Sequence, residues 1–216
     1  MKIRFSLLVL GIVLLGLNVP KPPKECSVDY NFAALDPATI KALSGQGSLV
    51  IVRQRKDMTL INVTAAKVVN APPEVVWAVL TDFEHYPKFM PQTTAERVIE
   101  RQGDKVLIEQ TLSIKFWQLP SLDLTYRLAY QLEPMTRIRF WHAAGPMEGT
   151  YGGWDILPAG TQTFVFYTLY SNLTSLGWGL GSVMKSQPDF MTGINITTAN
   201  MVVKAIKEEA ERRAKK

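Results

Sequence analysis

Apolar and polar positions alternate with a period of two over most of the chain between Thr93 and Tyr170. One stretch puts Val106, Ile108, Gln110, Leu112, Ile114 and Phe116 on one face and Glu109, Thr111, Ser113 and Lys115 on the other. The next opposes Leu122, Leu124, Tyr126, Leu128, Tyr130 and Leu132 to Asp123, Thr125, Arg127 and Gln131. Ile138, Phe140 and His142 then share a face opposite Arg137 and Arg139. Trp154 and Ile156 belong to a glycine-containing strand, Leu157-Pro158-Ala159-Gly160 reads as a turn, and Phe164, Phe166, Thr168 and Tyr170 alternate in the last strand. Ala95 to Arg101 precedes these strands. Repeated wet and dry faces joined by short turns predict an antiparallel meander with one buried side.

The period changes to helical at two places. Pro72-Pro73 ends a β-branched strand and starts a helix, since proline is tolerated in a first turn; Val76, Val79, Leu80 and Phe83 then follow the spacing of a buried helical face. Beyond Pro188, Phe190, Met191, Ile194, Thr198, Met201, Val202, Ala205 and Ile206 form one stripe. A helix of about 26 residues there is roughly 39 Å long and crosses a whole sheet. Before the meander, Asp36-Pro37 begins a short helix, and Leu49 to Arg55 and Leu60 to Val69 make two strands. Ser171 to Gly181 is loop-like, with Trp178 between two glycines as a flexible lip.

This order of elements predicts an α+β domain in which a curved antiparallel sheet wraps a long C-terminal helix. Aromatic side chains on the concave face cannot all reach the helix, so a pocket is expected between sheet and helix. The expected lining is Gln110, Leu112, Phe116, Tyr126, Tyr130, Phe140, His142, Trp154, Phe166 and Tyr170 from the sheet, with Met191, Ile194 and Met201 from the helix. Gln110 and the tyrosines offer hydrogen bonds to a ligand head group, because a buried polar group left alone costs free energy.

The first residues carry an address. Lys2 and Arg4 precede an apolar run from Phe5 to Val19 of about 15 residues, shorter than a comfortable bilayer span. Residues 1–19 are read as a signal peptide or an N-terminal anchor, residues 20–35 as a stiff linker, and residues 36–216 as the domain. Either fate of the first segment places the body outside the cytoplasm, periplasmic or secreted. Cys26 is the single cysteine, which excludes an intramolecular disulfide and a multi-cysteine metal site. Lipid attachment at Cys26 is disfavoured because Pro23-Lys24-Glu25 lacks the small apolar residues of a lipoprotein signal.

Net charge is +5, and about +3 without the first nineteen residues, too little for a nucleic-acid binder. The basic run Arg212, Arg213, Lys215 and Lys216 suits a solvated helix C-terminus, with weak membrane association as the lesser reading. No cofactor is expected: the chain shows neither a phosphate-binding glycine loop nor a metal cluster.

The stretch Ala71-Pro72-Pro73-Glu74-Val75-Val76-Trp77-Ala78-Val79-Leu80-Thr81-Asp82-Phe83-Glu84-His85-Tyr86-Pro87-Lys88-Phe89-Met90-Pro91 resembles the opening of the START-like (SRPBCC) superfamily. The branch it is most similar to is that of polyketide cyclase/dehydrase and coenzyme-Q-binding proteins. Gly149 and Trp154 in a Gly-x-x-x-x-Trp pattern and the terminal helix agree in order. The resemblance implies a helix-grip fold with a central hydrophobic cavity holding a quinone, sterol, phospholipid or polyketide. Most such members bind and a few are enzymes; for a cyclase or dehydratase here, His142 would be the base. A third reading is a protein-interaction module with a filled core.

Overall fold

The computed structural model describes residue 17 and residues 19–27, 32–45, 47–115, 121–176 and 179–216. Phe116, the Leu119-Pro120 turn, the Gly177-Trp178 part of the lip and nearly all of the N-terminal apolar run lie outside the described residues.

Proline starts three helices. Pro37 opens α1 (Pro37–Gly45), Pro73 opens α2 (Pro73–Leu80), and Pro188 opens α4 (Pro188–Ala214). Asp36 caps α1 by accepting the Thr39 backbone N–H at 2.9 Å. A short helix, α3 (Leu180–Ser186), packs against α4 where the sequence reads only loop. Gly181 permits it: a Cβ there would lie 2.4 Å from the Thr174 carbonyl oxygen.

Eight strands form one antiparallel sheet: β1 (Leu49–Gln54), β2 (Leu60–Val69), β3 (Thr93–Gln102), β4 (Lys105–Ile114), β5 (Leu122–Glu133), β6 (Arg137–Ala144), β7 (Tyr151–Ala159) and β8 (Gln162–Tyr170). Their spatial order is β1-β2-β8-β7-β6-β5-β4-β3. The meander expected from Thr93 onward is present, and β1–β2 joins it through β2–β8 pairing. α4 lies on the concave side over β2 and β8, with α2 beside it. Val76, Val79, Leu80, Val203 and Ile206 are fully buried between them and the sheet. Burying each such side chain contributes about 1.5–3 kcal/mol.

An ion-paired cluster fixes the far end of α4. Glu209 accepts from Arg212 and Arg213, and Arg213 also reaches Asp82 beyond α2 at 2.8 Å. The Arg212 hydrogen bonds, with those of Arg213, hold the Glu209 carboxyl down to about 2.

The convex face is also covered. Of residues 20–35, expected to be a linker, Cys26 and Phe32 are buried against the sheet. Phe32 stacks on Phe166 with ring centroids 4.2 Å apart, and the Pro20 carbonyl accepts from the Trp141 indole at 2.7 Å. β8 is therefore buried on both faces. The residues expected as a turn, Leu157 to Ala159, belong to β7, and only Gly160 and Thr161 lie between the paired ends Ala159 and Gln162.

Candidate functional site

The concave face is built by register. Gln110 pairs with Tyr126, Tyr130 with Phe140, Ile138 with Trp154, and Trp154 with Tyr167. The rings of Tyr130, Phe140, Tyr167 and Trp154 consequently follow one another across β5 to β8. Gly152 makes room for this row: a Cβ there would meet the Phe140 ring at 2.5 Å and the Thr168 carbonyl oxygen at 2.3 Å.

Between this row and α4 lies an inner cavity of about 80 Å³. Gln110, Leu112, Tyr126, Tyr130, Phe140, Trp154 and Met201, all expected, line it. Beside it a wider mouth of about 370 Å³ opens between the end of β4 and the first turns of α4, lined by Ile114, Leu173, Phe190 and Ile194 among others. Gln92, Leu112, Met147, Ser171, Thr198 and Met201 border both spaces. Two of these, Gln92 and Met147, are held at positive φ (62° and 65°), a conformation that costs a non-glycine residue free energy and concentrates at functional sites. A further groove of about 400 Å³ lies on the convex side, between residues 17–26 and β4–β6, separated from the cavity by the sheet.

Four expected residues lie elsewhere than on the cavity wall. Met191, in the first turn of α4, is buried in the core and borders neither space. Phe166 faces the convex side against Phe32. Tyr170 also faces away, its ring 5.3 Å from that of Tyr151. The corrections at Phe166 and Tyr170 have one cause. The two-residue loop between β7 and β8 pairs even with odd numbers, as in Trp154 with Tyr167, so the inward side of β8 carries Val165, Tyr167 and Leu169. His142 sits at the bulged end of β6, where its Nε2 donates to the Gly145 carbonyl at 2.8 Å. It borders neither the inner cavity nor the mouth.

Glu96, Tyr86 and Tyr167, which sequence reasoning missed, gather with Gln110 and Tyr126 at the inner end. The Tyr126 hydroxyl donates to Gln110 Oε1 at 2.6 Å, and Gln110 Nε2 donates to Glu96 Oε2 at 2.8 Å. Glu96 is buried, and its Oε1 has no partner among the described residues. Burial pushes its carboxyl up to about 8, the Gln110 hydrogen bond offsetting only part of that rise. Tyr86 donates to the Leu80 carbonyl at 2.6 Å. Burial raises Tyr86, Tyr126, Tyr130 and Tyr167 above the usual phenol range, and Glu96 adds to the rise for the first three. These phenols are neutral donors at any ordinary pH.

Asn195, fully buried in α4, fastens Ser171, which borders both spaces. Its Oδ1 accepts the Ser171 N–H at 2.7 Å, and its Nδ2 donates to the Ser171 and Met191 carbonyls. Among the described residues no three His, Cys, Asp or Glu side chains converge as metal ligands, and no helix is long and apolar enough to cross a membrane.

An antiparallel sheet curled around a C-terminal helix, with an aromatic cavity between them, defines the helix-grip α+β class. The fold is START-like, and the chain belongs to the polyketide cyclase / dehydrase and lipid transport family, whose model matches residues 69–205. Solved structures share the fold. A protein from Thermus thermophilus is 18% identical with a TM-score of 0.59, covering 71% of this chain and 99% of its own. The Zhui aromatase/cyclase from Streptomyces sp. R1128 is 19% identical with a TM-score of 0.57, covering 70% and 94%. The STAR-related lipid transfer protein from Xanthomonas axonopodis is 15% identical with a TM-score of 0.57, covering 76% and 94%. No curated protein matches the sequence.

Proposed function

We propose that the protein binds one hydrophobic small molecule in the concave cavity and serves as its carrier or sensor outside the cytoplasm. The observation that carries this reading is the aromatic wall of Tyr126, Tyr130, Phe140 and Trp154 facing Met201 across a space that opens beside α4. An apolar wall with few polar groups at one end is the usual make-up of a small-molecule site. Each methylene buried there contributes about 0.8 kcal/mol before the costs of association. The apolar run at Phe5 to Val19 supports export or anchoring, and the lipid-transport members of the family support a carrier.

Binding is favoured over cyclase chemistry by the place of His142. The base which that chemistry would need is engaged by the Gly145 carbonyl at the end of β6. The test is thermal: delipidated protein is titrated with fractions of a lipid extract and with quinones and sterols. A rise in melting temperature with at least one class is expected, and native mass spectrometry then reports the mass of the bound species. No shift with any class would refute the proposal.

A further inference from the structure

The convex groove of about 400 Å³ is as large as the mouth of the concave cavity and takes no part in the site between sheet and helix. Its floor is the outer face of β4 to β6, where Trp141 is 6% exposed, and Leu17, Val19, Pro20 and Pro22 wall it on one side. Two hydrogen bonds fasten that wall to the sheet. The Leu17 N–H donates to Gln102 Oε1 at 3.2 Å, and the Trp141 indole donates to the Pro20 carbonyl at 2.7 Å. Leu17 and Val19 are also the last apolar residues before Pro20 in the run that begins at Phe5. The run therefore ends on the wall of the groove.

Four cations border the groove, Lys21, Lys105, Arg137 and Arg139, against one carboxylate, Glu133. The arginines are committed. Both donate to Asp155 Oδ1, at 3.2 and 2.8 Å, and Arg137 also lies 3.9 Å from Glu133. Asp104, next to Lys105, accepts from the Gln131 amide. Lys21 and Lys105 are exposed, and among the described residues neither has an ion pair or a hydrogen bond. Two uncommitted ammonium groups beside an apolar wall suit a ligand with one anionic end and one apolar end. A lysine ammonium attracts a phosphate group as a point charge and demands no particular geometry of it.

We propose that the convex groove holds the anionic head group of a membrane lipid, with Lys21 and Lys105 as its counter-charges and the apolar run before Pro20 in the same bilayer. Continuity favours a lipid over a soluble anion. Lys21 stands two residues beyond Val19, so a run that enters a bilayer brings it to the head-group level, where each lysine strengthens attachment to an anionic surface. This site is independent of the cavity reading. Lys105 opens β4 and Ile114, which lines the mouth, ends it, so groove and mouth lie roughly 30 Å apart along the strand and on opposite faces of the sheet. A lipid surface docked on the groove leaves the mouth clear.

The experiment labels the full chain with fluorotryptophan and follows its five tryptophans by fluorine NMR, each resonance assigned by a Trp→Phe replacement. The probes are dihexanoylphosphatidylglycerol, dihexanoylphosphatidylcholine, both kept below their micelle concentrations, and inorganic phosphate. The anionic lipid should move the Trp141 resonance and saturate it at a concentration on the order of fivefold lower than the zwitterionic lipid. Lys21→Gln with Lys105→Gln should erase that preference, and each single replacement should lose part of it. Both side chains are exposed, so these variants should fold normally. Lys56→Gln with Lys204→Gln makes the same change in net charge away from the groove and should keep the preference. Movement of Trp154 alone would place the lipid in the concave cavity and overturn the proposal. Equal affinity for the two lipids, a preference that survives loss of both groove lysines, or one that the control pair abolishes equally would also overturn it. Inorganic phosphate moving Trp141 at the concentrations the anionic lipid needs would assign the groove to a soluble anion and refute the lipid assignment.

Discussion

Gln110 Nε2 donates to Glu96 Oε2 across the β3–β4 pair at 2.8 Å, and this bond leaves the other Glu96 oxygen buried without a partner among the described residues. A carboxyl in that position holds its proton. Its affinity for the proton is higher in the folded chain, where it titrates at about 8, than at its ordinary 4.5. Between those values the folded state binds more protons than the unfolded state, so stability falls as pH rises. The contribution is fully present below 4.5 and is lost as pH climbs through about 8. Glu209 does not blur this window, because its carboxyl, held down to about 2, is ionised throughout it.

Urea unfolding at pH 5 and at pH 8.5 should therefore show the protein less stable at the higher pH, by roughly a few kcal/mol at most. Glu96→Gln keeps an acceptor for Gln110 and removes the titration. The variant should flatten the profile and be the more stable of the two at the alkaline end. An unaltered slope in the variant would assign the pH dependence to other groups.

The second prediction concerns the clamp at the mouth. Asn195 is fully buried and ties the end of β8 to α4 through both backbone polar groups of Ser171. Asn195→Ala leaves those groups without their partners, at about 2–3 kcal/mol. The expected result is a lower urea midpoint together with faster amide exchange at Ser171. Loss of stability without faster exchange there would show that the clamp does not hold this strand end.

The third prediction separates the two faces of β8. Phe32 lies 4.2 Å from Phe166 on the convex side, and neither borders the cavity. Phe32→Ala should cost about 3 kcal/mol by removing a buried ring, yet leave ligand affinity unchanged in calorimetry. Weakened binding of a cavity ligand would mean that Phe166 communicates with the concave side.

That face assignment marks where the sequence stopped being legible. The faces of β4 and β5 could be read because one side is wet: Glu109 and Arg127 alternate with Ile108 and Leu128. In β8 both sides are apolar, since Phe164 and Phe166 are covered by the N-terminal segment and Val165 and Leu169 by the core. Alternation then carries no sign, and only the length of the β7–β8 loop, invisible without the pairing, decides it. β3 hid Glu96 for a related reason. It is an edge strand with bulges between Thr93 and Ala95 and between Val98 and Glu100, so its buried positions Thr93 and Glu96 are three apart instead of two. The amphipathic stripe of α4 was plain, and so was the turn of α2 that follows Pro73.

The last prediction follows from Cys26. Its thiol is 4% exposed, packed with Trp141 and Tyr151, and points at the Phe140 and Gly152 carbonyls, at 3.5 and 3.8 Å. Burial pushes its pKa up to about 11, with Arg139 and the Gly152 hydrogen bond opposing the shift. The thiolate is the reactive form, so at pH 8 the folded protein presents almost none of it. A disulfide reagent should label Cys26 slowly in native protein and rapidly in urea, and the native rate should follow unfolding of the segment around Pro20 and Trp141. Trp141→Phe, which removes the indole bond to the Pro20 carbonyl, should speed labelling without altering the rate in urea. Equal native and denatured rates would show that residues 19–27 do not pack on the convex face, and the groove they form with β4–β6 would go with them.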